Sequence, residues 1–219
     1  MEVPMTSDST APDQRSYLAQ PEGGGPGVLV VHDYYGLLPS VQERCDALAA
    51  AGFVALAPDL YDGQVARDDG EAERLMDELE AAAARKRLGE AVGWLRATAG
   101  GGRVGAVGFS LGGWLALMEA TTGELDAVVA YYAIVAPASA RSVTCPVLLQ
   151  LAGIDEWGPE ETPEQFLEVL RERGEPEAFT YPGTEHSFAN PGIPARFAPR
   201  AADEAWARTV AFLDRHLRN

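Results

Sequence analysis

Short apolar runs alternate with segments of helical period along almost the whole chain. Residues 28–31, 54–57, 104–107, 127–132, 147–151 and 178–181 are rich in Val, Leu and Ala, and most are continuously apolar rather than alternating. That pattern predicts strands covered on both faces, as in a parallel sheet. Between them the period lengthens. Val41, Cys45 and Leu48 recur at i, i+4 and i+7, as do Leu88, Val92 and Leu95. Phe166, Val169 and Leu170 share a helical face, and Trp206, Val210, Leu213 and Leu217 form a stripe in the last helix. Strand and helix in repeated alternation predict an α/β fold, a mostly parallel central sheet flanked by helices on both faces and joined by right-handed crossovers. Residues 16–19 add an outer strand, reached through the glycine-rich turn at 23–27. In such a sheet, ligands bind at the carboxyl ends of the strands.

At 219 residues the chain has room for one full-sized domain, taken as 1–219 with residues 1–14 as a flexible N-terminal tail. Seventeen basic against thirty-three acidic residues leave a formal charge of −16. Nucleic acid and anionic membranes are repelled by such a surface and are not expected partners. The N-terminus has no basic start followed by an apolar stretch, and the longest uncharged apolar stretch, 127–140, is too short to span a bilayer and contains Pro137. The expected location is the cytoplasm. Cys45 and Cys145 have no metal-type spacing, so neither a disulfide framework nor a metal site is expected.

One motif misleads. Gly100-Gly101-Gly102-Arg103-Val104-Gly105 matches the dinucleotide fingerprint letter for letter, but it follows a helix and precedes a strand, the reverse of what the fingerprint requires. It reads as a helix C-cap and turn.

The chemistry-bearing motif is Gly108-Phe109-Ser110-Leu111-Gly112, set between a buried-type strand and an apolar helix. That context makes G-x-S-x-G a nucleophile elbow, with Ser110 raised at the sheet's carboxyl edge; the competing reading is a serine N-cap in an ordinary turn. A serine alcohol needs a base. Of three histidines, His216 lies in the last turn of the terminal helix, where it is expected to be solvated, and His32 ends an early strand. His186 follows the last strand and satisfies the chain order Ser…Asp…His. The orienting acid should lie between Ser110 and His186 at a strand's carboxyl end. Asp126 precedes its strand; Asp155 follows residues 147–151 and is expected as a buried carboxylate, with Glu156 its nearest rival. Oxyanion donors are expected from the backbone N–H of Leu111 and of Tyr34, in His32-Asp33-Tyr34-Tyr35-Gly36.

Six landmarks in order carry a resemblance: His32-Asp33-Tyr34-Tyr35-Gly36, Ala57-Pro58-Asp59-Leu60-Tyr61, the elbow, Ala130-Tyr131-Tyr132, Gly153-Ile154-Asp155 and Gly183-Thr184-Glu185-His186-Ser187-Phe188. From about Tyr17 to Leu217 the chain resembles the dienelactone hydrolase family of α/β-hydrolases. The resemblance implies an α/β-hydrolase fold without a large cap domain, a cofactor-independent activity on small esters or lactones, and the triad Ser110, Asp155 and His186. The sequence departs from the best-known members in three ways. Ser110 stands where they carry cysteine, and Asp33 where they carry glutamate. Asn190, four residues after His186, stands where dienelactone-cleaving members hold the substrate carboxylate with arginine. Arg67, Arg74 and Arg196 are the candidates to supply charge instead.

Tyr35, Trp157, Phe188 and Asn190 adjoin site residues and are the candidate substrate contacts, with core packing an equal reading for the aromatics. The acidic stretch 68–80 reads as a solvated helix face that could border the entrance. The expected protein is a serine hydrolase of small carboxylic esters or lactones acting through an acyl-enzyme, as a monomer or homodimer. The same triad also serves acyl transfer or small-amide hydrolysis, and the reading from another class is a small-molecule-binding homologue without turnover.

Overall fold

The structure, a computed structural model, describes residues 15–157 and 162–218; the N-terminal tail expected at 1–14 lies outside the described residues. The elements run β1 (Tyr17–Ala19), β2 (Gly27–Val31), α1 (Pro39–Ala50), β3 (Val54–Ala57), α2 (Asp69–Glu78), α3 (Ala81–Thr98), β4 (Val104–Phe109), α4 (Leu111–Ala120), β5 (Ala127–Tyr131), α5 (Pro137–Ala140), β6 (Val147–Ile154), α6 (Pro163–Arg171), β7 (Glu177–Glu185) and α7 (Pro199–Leu217). One sheet of seven strands has the order β1-β3-β2-β4-β5-β6-β7. All neighbours are parallel except β1, which pairs antiparallel with β3.

Every residue of β2 to β5 is buried, as continuous apolar runs require. Alternate side chains feed two separate cores. Leu29, Val31, Leu56, Ala106, Val128 and Leu149 pack with α2, α3, α4 and α6 on one face. Val28, Val30, Ala55, Val107, Val129 and Leu148 pack with α1 and α7 on the other. Proline opens α1, α5, α6 and α7, where its missing N–H costs nothing. A capping box between Thr162 and Gln165 adds two hydrogen bonds at the start of α6.

Two sequence expectations shift. Strands β6 and β7 run on to Ile154 and Glu185, because their ends pair with each other beyond the apolar runs that signalled them. The buried face of α7 is Ala202, Ala205, Thr209, Phe212, Leu213 and Leu217. Trp206 and Val210 sit half-buried at its margin, Trp206 beneath the Arg44 guanidinium, because Thr209 turns inward to bond the Tyr131 hydroxyl. The glycine run at 100–102 closes α3 ahead of β4, with Gly100 and Gly101 at positive φ. Among the described residues no helix is long and apolar enough to cross a membrane.

Candidate active site

The sheet ends β4 in the elbow. Ser110 has φ 51° and ψ −116°, a conformation that favours glycine and costs a side-chain-bearing residue ~1–3 kcal/mol. Its neighbours explain how the turn closes. A Cβ at Gly108 would stand 2.1 Å from the Gly112 carbonyl oxygen, and one at Gly112 would stand 2.3 Å from the carbonyl oxygens of Val31 and His32. Only glycine fits either position, so G-x-S-x-G is a steric requirement here. The Ser110 N–H donates to the Tyr131 carbonyl at 3.0 Å, tying the turn to β5.

Two further strand ends complete the constellation. His186 follows β7, and its Nε2 lies 2.7 Å from Ser110 Oγ. Its Nδ1 lies 2.8 Å from Asp155 Oδ1. Asp155 follows β6, whose register against β7 shifts between Ala152 and Ile154, an irregularity of the kind that re-aims a side chain. The same Oδ1 accepts the Trp157 N–H at 3.1 Å. Asp155 is not the buried carboxylate expected from sequence. Its side chain is 24% exposed, against 9% for His186, because β6 carries it to the rim of the sheet. Glu156, its rival, is exposed. A hydroxyl bonded to one imidazole nitrogen, with a carboxylate on the other, is the geometry in which a serine becomes nucleophilic.

The loop after β2 packs over this centre. His32 is fully buried; its Nε2 accepts the Leu60 N–H and its Nδ1 donates to the Asp33 carbonyl, so it is a neutral structural imidazole. Burial lowers its pKa accordingly. His216 is half-buried rather than solvated, its ring 4.5 Å from Phe212. The N–H groups of Tyr34 and Leu111 bond no protein acceptor among the described residues, Leu111 because it opens α4. Asp33 is buried; its Oδ1 accepts the Tyr35 N–H at 2.9 Å and its Oδ2 accepts Asn190 Nδ2 at 2.6 Å. Asn190 Oδ1 in turn accepts the Gly192 N–H at 2.8 Å. Asn190 is therefore a clasp between the Tyr34 loop and the His186 loop, not the substrate contact expected from sequence, because both ends of its amide are engaged.

Burial pushes the Asp33 carboxyl up from 3.8 to about 6, against the opposing pull of the Tyr35 and Asn190 donors. The folded protein thus holds a proton that the unfolded chain has released. Its stabilising effect is complete below pH ~4 and lost as pH rises through the folded value, about 3 kcal/mol in all. The difference in unfolding free energy between wild type and Asp33→Asn should shrink by roughly that amount between pH 4 and pH 7. Denaturant titrations that gave a pH-independent difference would refute the assignment.

The remaining candidates divide. Trp157 is 46% exposed, and its ring lies 6.1 Å from His186 and 5.7 Å from Tyr34. Tyr35 is buried, and its hydroxyl turns to Asp69. Phe188 is wholly buried against Tyr131, Tyr132 and Tyr181; it belongs to the core and offers a ligand no surface. Of the three arginines, Arg74 pairs with Glu78 and Arg67 is exposed, whereas Arg196 reaches Asp69 beside Tyr34 and Tyr35. Sequence reasoning missed Asp69 and Tyr132. Tyr132, at φ 39° with its ring 5.0 Å from His186, directly follows β5, the strand next to the elbow strand, which was the available signal. Burial holds the thiols of Cys45 and Cys145 up at about 12, so both are inert.

A mostly parallel sheet whose central strand runs through a strained serine into a helix defines an α/β-hydrolase. A dienelactone-hydrolase-like promiscuous phosphotriesterase from metagenomic libraries matches it with a TM-score of 0.78 at 26% identity, over 89% of this chain and 88% of that one. "Protein usf" of Aquifex pyrophilus is 32% identical over 93% of this chain and 94% of its own length. The carboxymethylenebutenolidase of Pseudomonas sp. strain P51 is 31% identical over 88% and 86%. The sequence model of the dienelactone hydrolase family matches residues 14–217, and the chain belongs to that family. It is a hydrolase of carboxylic-ester or lactone bonds.

Proposed function

We propose that Ser110 is the nucleophile of a serine hydrolase that cleaves small carboxylic esters or lactones through an acyl-enzyme. The observation that carries this reading is the unbroken hydrogen-bonded line from Ser110 Oγ through His186 to Asp155. Ser110 Oγ attacks the carbonyl carbon while His186 Nε2 takes its proton. The carbonyl oxygen gains the negative charge and accepts from the N–H groups of Tyr34 and Leu111, the latter at a helix N-terminus. Asp155 holds the proton on Nδ1 and stabilises the imidazolium. Collapse returns the proton to the departing alkoxide and leaves the acyl group on Ser110. Water, deprotonated by His186, then attacks the acyl carbon and restores the serine.

A fluorophosphonate reports on the first half of this cycle. Intact-protein mass spectrometry should show one adduct, mapped to Ser110 by peptide mass and absent from Ser110→Ala. Failure to label rejects the reading in favour of a homologue without turnover, and labelling that survives the substitution rejects Ser110 in favour of another nucleophile.

A further inference from the structure

Three segments at the rim of the site converge on one carboxylate. Asp69 is the first residue of α2. Tyr34, from the loop after β2, donates its hydroxyl to Asp69 Oδ1 at 3.0 Å, and the Tyr35 hydroxyl donates to the same oxygen. From the segment between β7 and α7, Arg196 Nη2 donates to Asp69 Oδ2 at 3.3 Å. A second guanidinium nitrogen, Arg196 Nη1, is enclosed and has no acceptor among the described residues. The Tyr34 ring lies 5.7 Å from Trp157, whose ring lies 6.1 Å from His186, so this cluster borders the reacting centre.

Two phenolic hydroxyls and a guanidinium turned on one anion form a recognition site for a carboxylate. Stability does not account for it. The Asp69 side chain is 48% exposed, and an ion pair that open to water contributes little. The Tyr35 hydroxyl, ahead of the opposing effect of burial, holds the Asp69 carboxyl below its ordinary range, so it is ionised at neutral pH. The donor set is therefore already engaged by a charge belonging to the protein. We propose that Asp69 is a specificity-determining residue: a built-in carboxylate that occupies the cradle formed by Arg196, Tyr34 and Tyr35 and so excludes anionic substrates. Discrimination by repulsion needs such a fixed like charge. With Asp69 neutralised, Arg196 loses the charge paired with its Nη2, and that nitrogen receives the carboxylate of an acidic ester.

The kinetic form of this proposal rests on Ser110 being the hydrolytic nucleophile; the binding form does not. The first readout is the ratio of kcat/KM for p-nitrophenyl hemiglutarate to that for its methyl ester. Asp69→Asn keeps an oxygen for the tyrosine hydroxyls and should raise the ratio about tenfold or more, chiefly through the KM of the anionic ester. The gain should vanish in the double variant Asp69→Asn/Arg196→Gln. Asp69→Ser serves as a second variant, with thermal melting to show that each is folded. A ratio that moves less than about threefold, or a gain that survives the loss of Arg196, overturns the proposal; the latter result would mean only long-range charge. Calorimetric titration of monoethyl glutarate into Ser110→Ala, with and without Asp69→Asn, reads the cradle without turnover. Tighter binding in the double variant supports the proposal, and equal binding rejects it. Absence of hydrolysis of both esters by the wild type would instead count against the assignment of Ser110.

Discussion

Ser110→Ala is expected to lower kcat on a small neutral ester by about ten-thousand-fold or more, a loss of ~5.5 kcal/mol of transition-state stabilisation. The hydroxyl is the only atom removed, and it is the atom bonded to His186 Nε2. Residual turnover would come from the oxyanion donors and from binding alone. KM should change little, since the remaining contacts do not depend on the hydroxyl. The fold should not suffer, because alanine keeps the same Cβ in the same φ of 51°. A companion variant separates chemistry from architecture. Ser110→Gly removes the strain as well as the nucleophile and should melt above wild type, by an amount equivalent to ~1 kcal/mol or more. Steady-state kinetics and calorimetric melting of the two variants check both halves. A rate within tenfold of wild type for Ser110→Ala would end the nucleophile assignment, and a lower melting temperature for Ser110→Gly would contradict the strain.

The second large effect is expected at Asp155. Asp155 Oδ1 accepts both the imidazole Nδ1–H and the Trp157 N–H, so a single amide oxygen can keep both bonds in Asp155→Asn. What asparagine removes is the charge opposite the imidazolium. In a fully buried triad, reversal of the tautomer costs about 10,000-fold in kcat. Here the side chain is 24% exposed, so solvent already weakens that charge and geometry is retained. The expected loss is about 100- to 1,000-fold in kcat, with a larger loss in Asp155→Ala, where orientation goes as well. Equal losses in both variants would show that orientation is not preserved by the amide.

Much of this architecture was legible before any coordinates. Continuous apolar runs marked the strands because a doubly covered parallel sheet admits no polar side, and the elbow was legible because its glycines are sterically compulsory. His186 was selected by elimination among three histidines, and its Nε2 lies against Ser110 Oγ. Burial was harder to read. Pocket and core were equal readings for Phe188, which lies in the core, and Asp155 was expected to be buried but lies at the rim. Neighbourhood in sequence says which strand end a residue follows, not which way the backbone turns there.

The sequence by itself determined the order of strands and helices, the strained serine and the segments on which its partners stand, since these follow from hydrophobic period, steric minimum and chain order. Tertiary structure alone decided what the loops do to one another. The Asp33–Asn190 clasp joins residues 157 positions apart, and the Asp69–Arg196 pair spans 127. Neither has a local signal, because a carboxylate's partner is chosen by the fold that brings two loops together and by the water it excludes, and no spacing along the chain records that meeting.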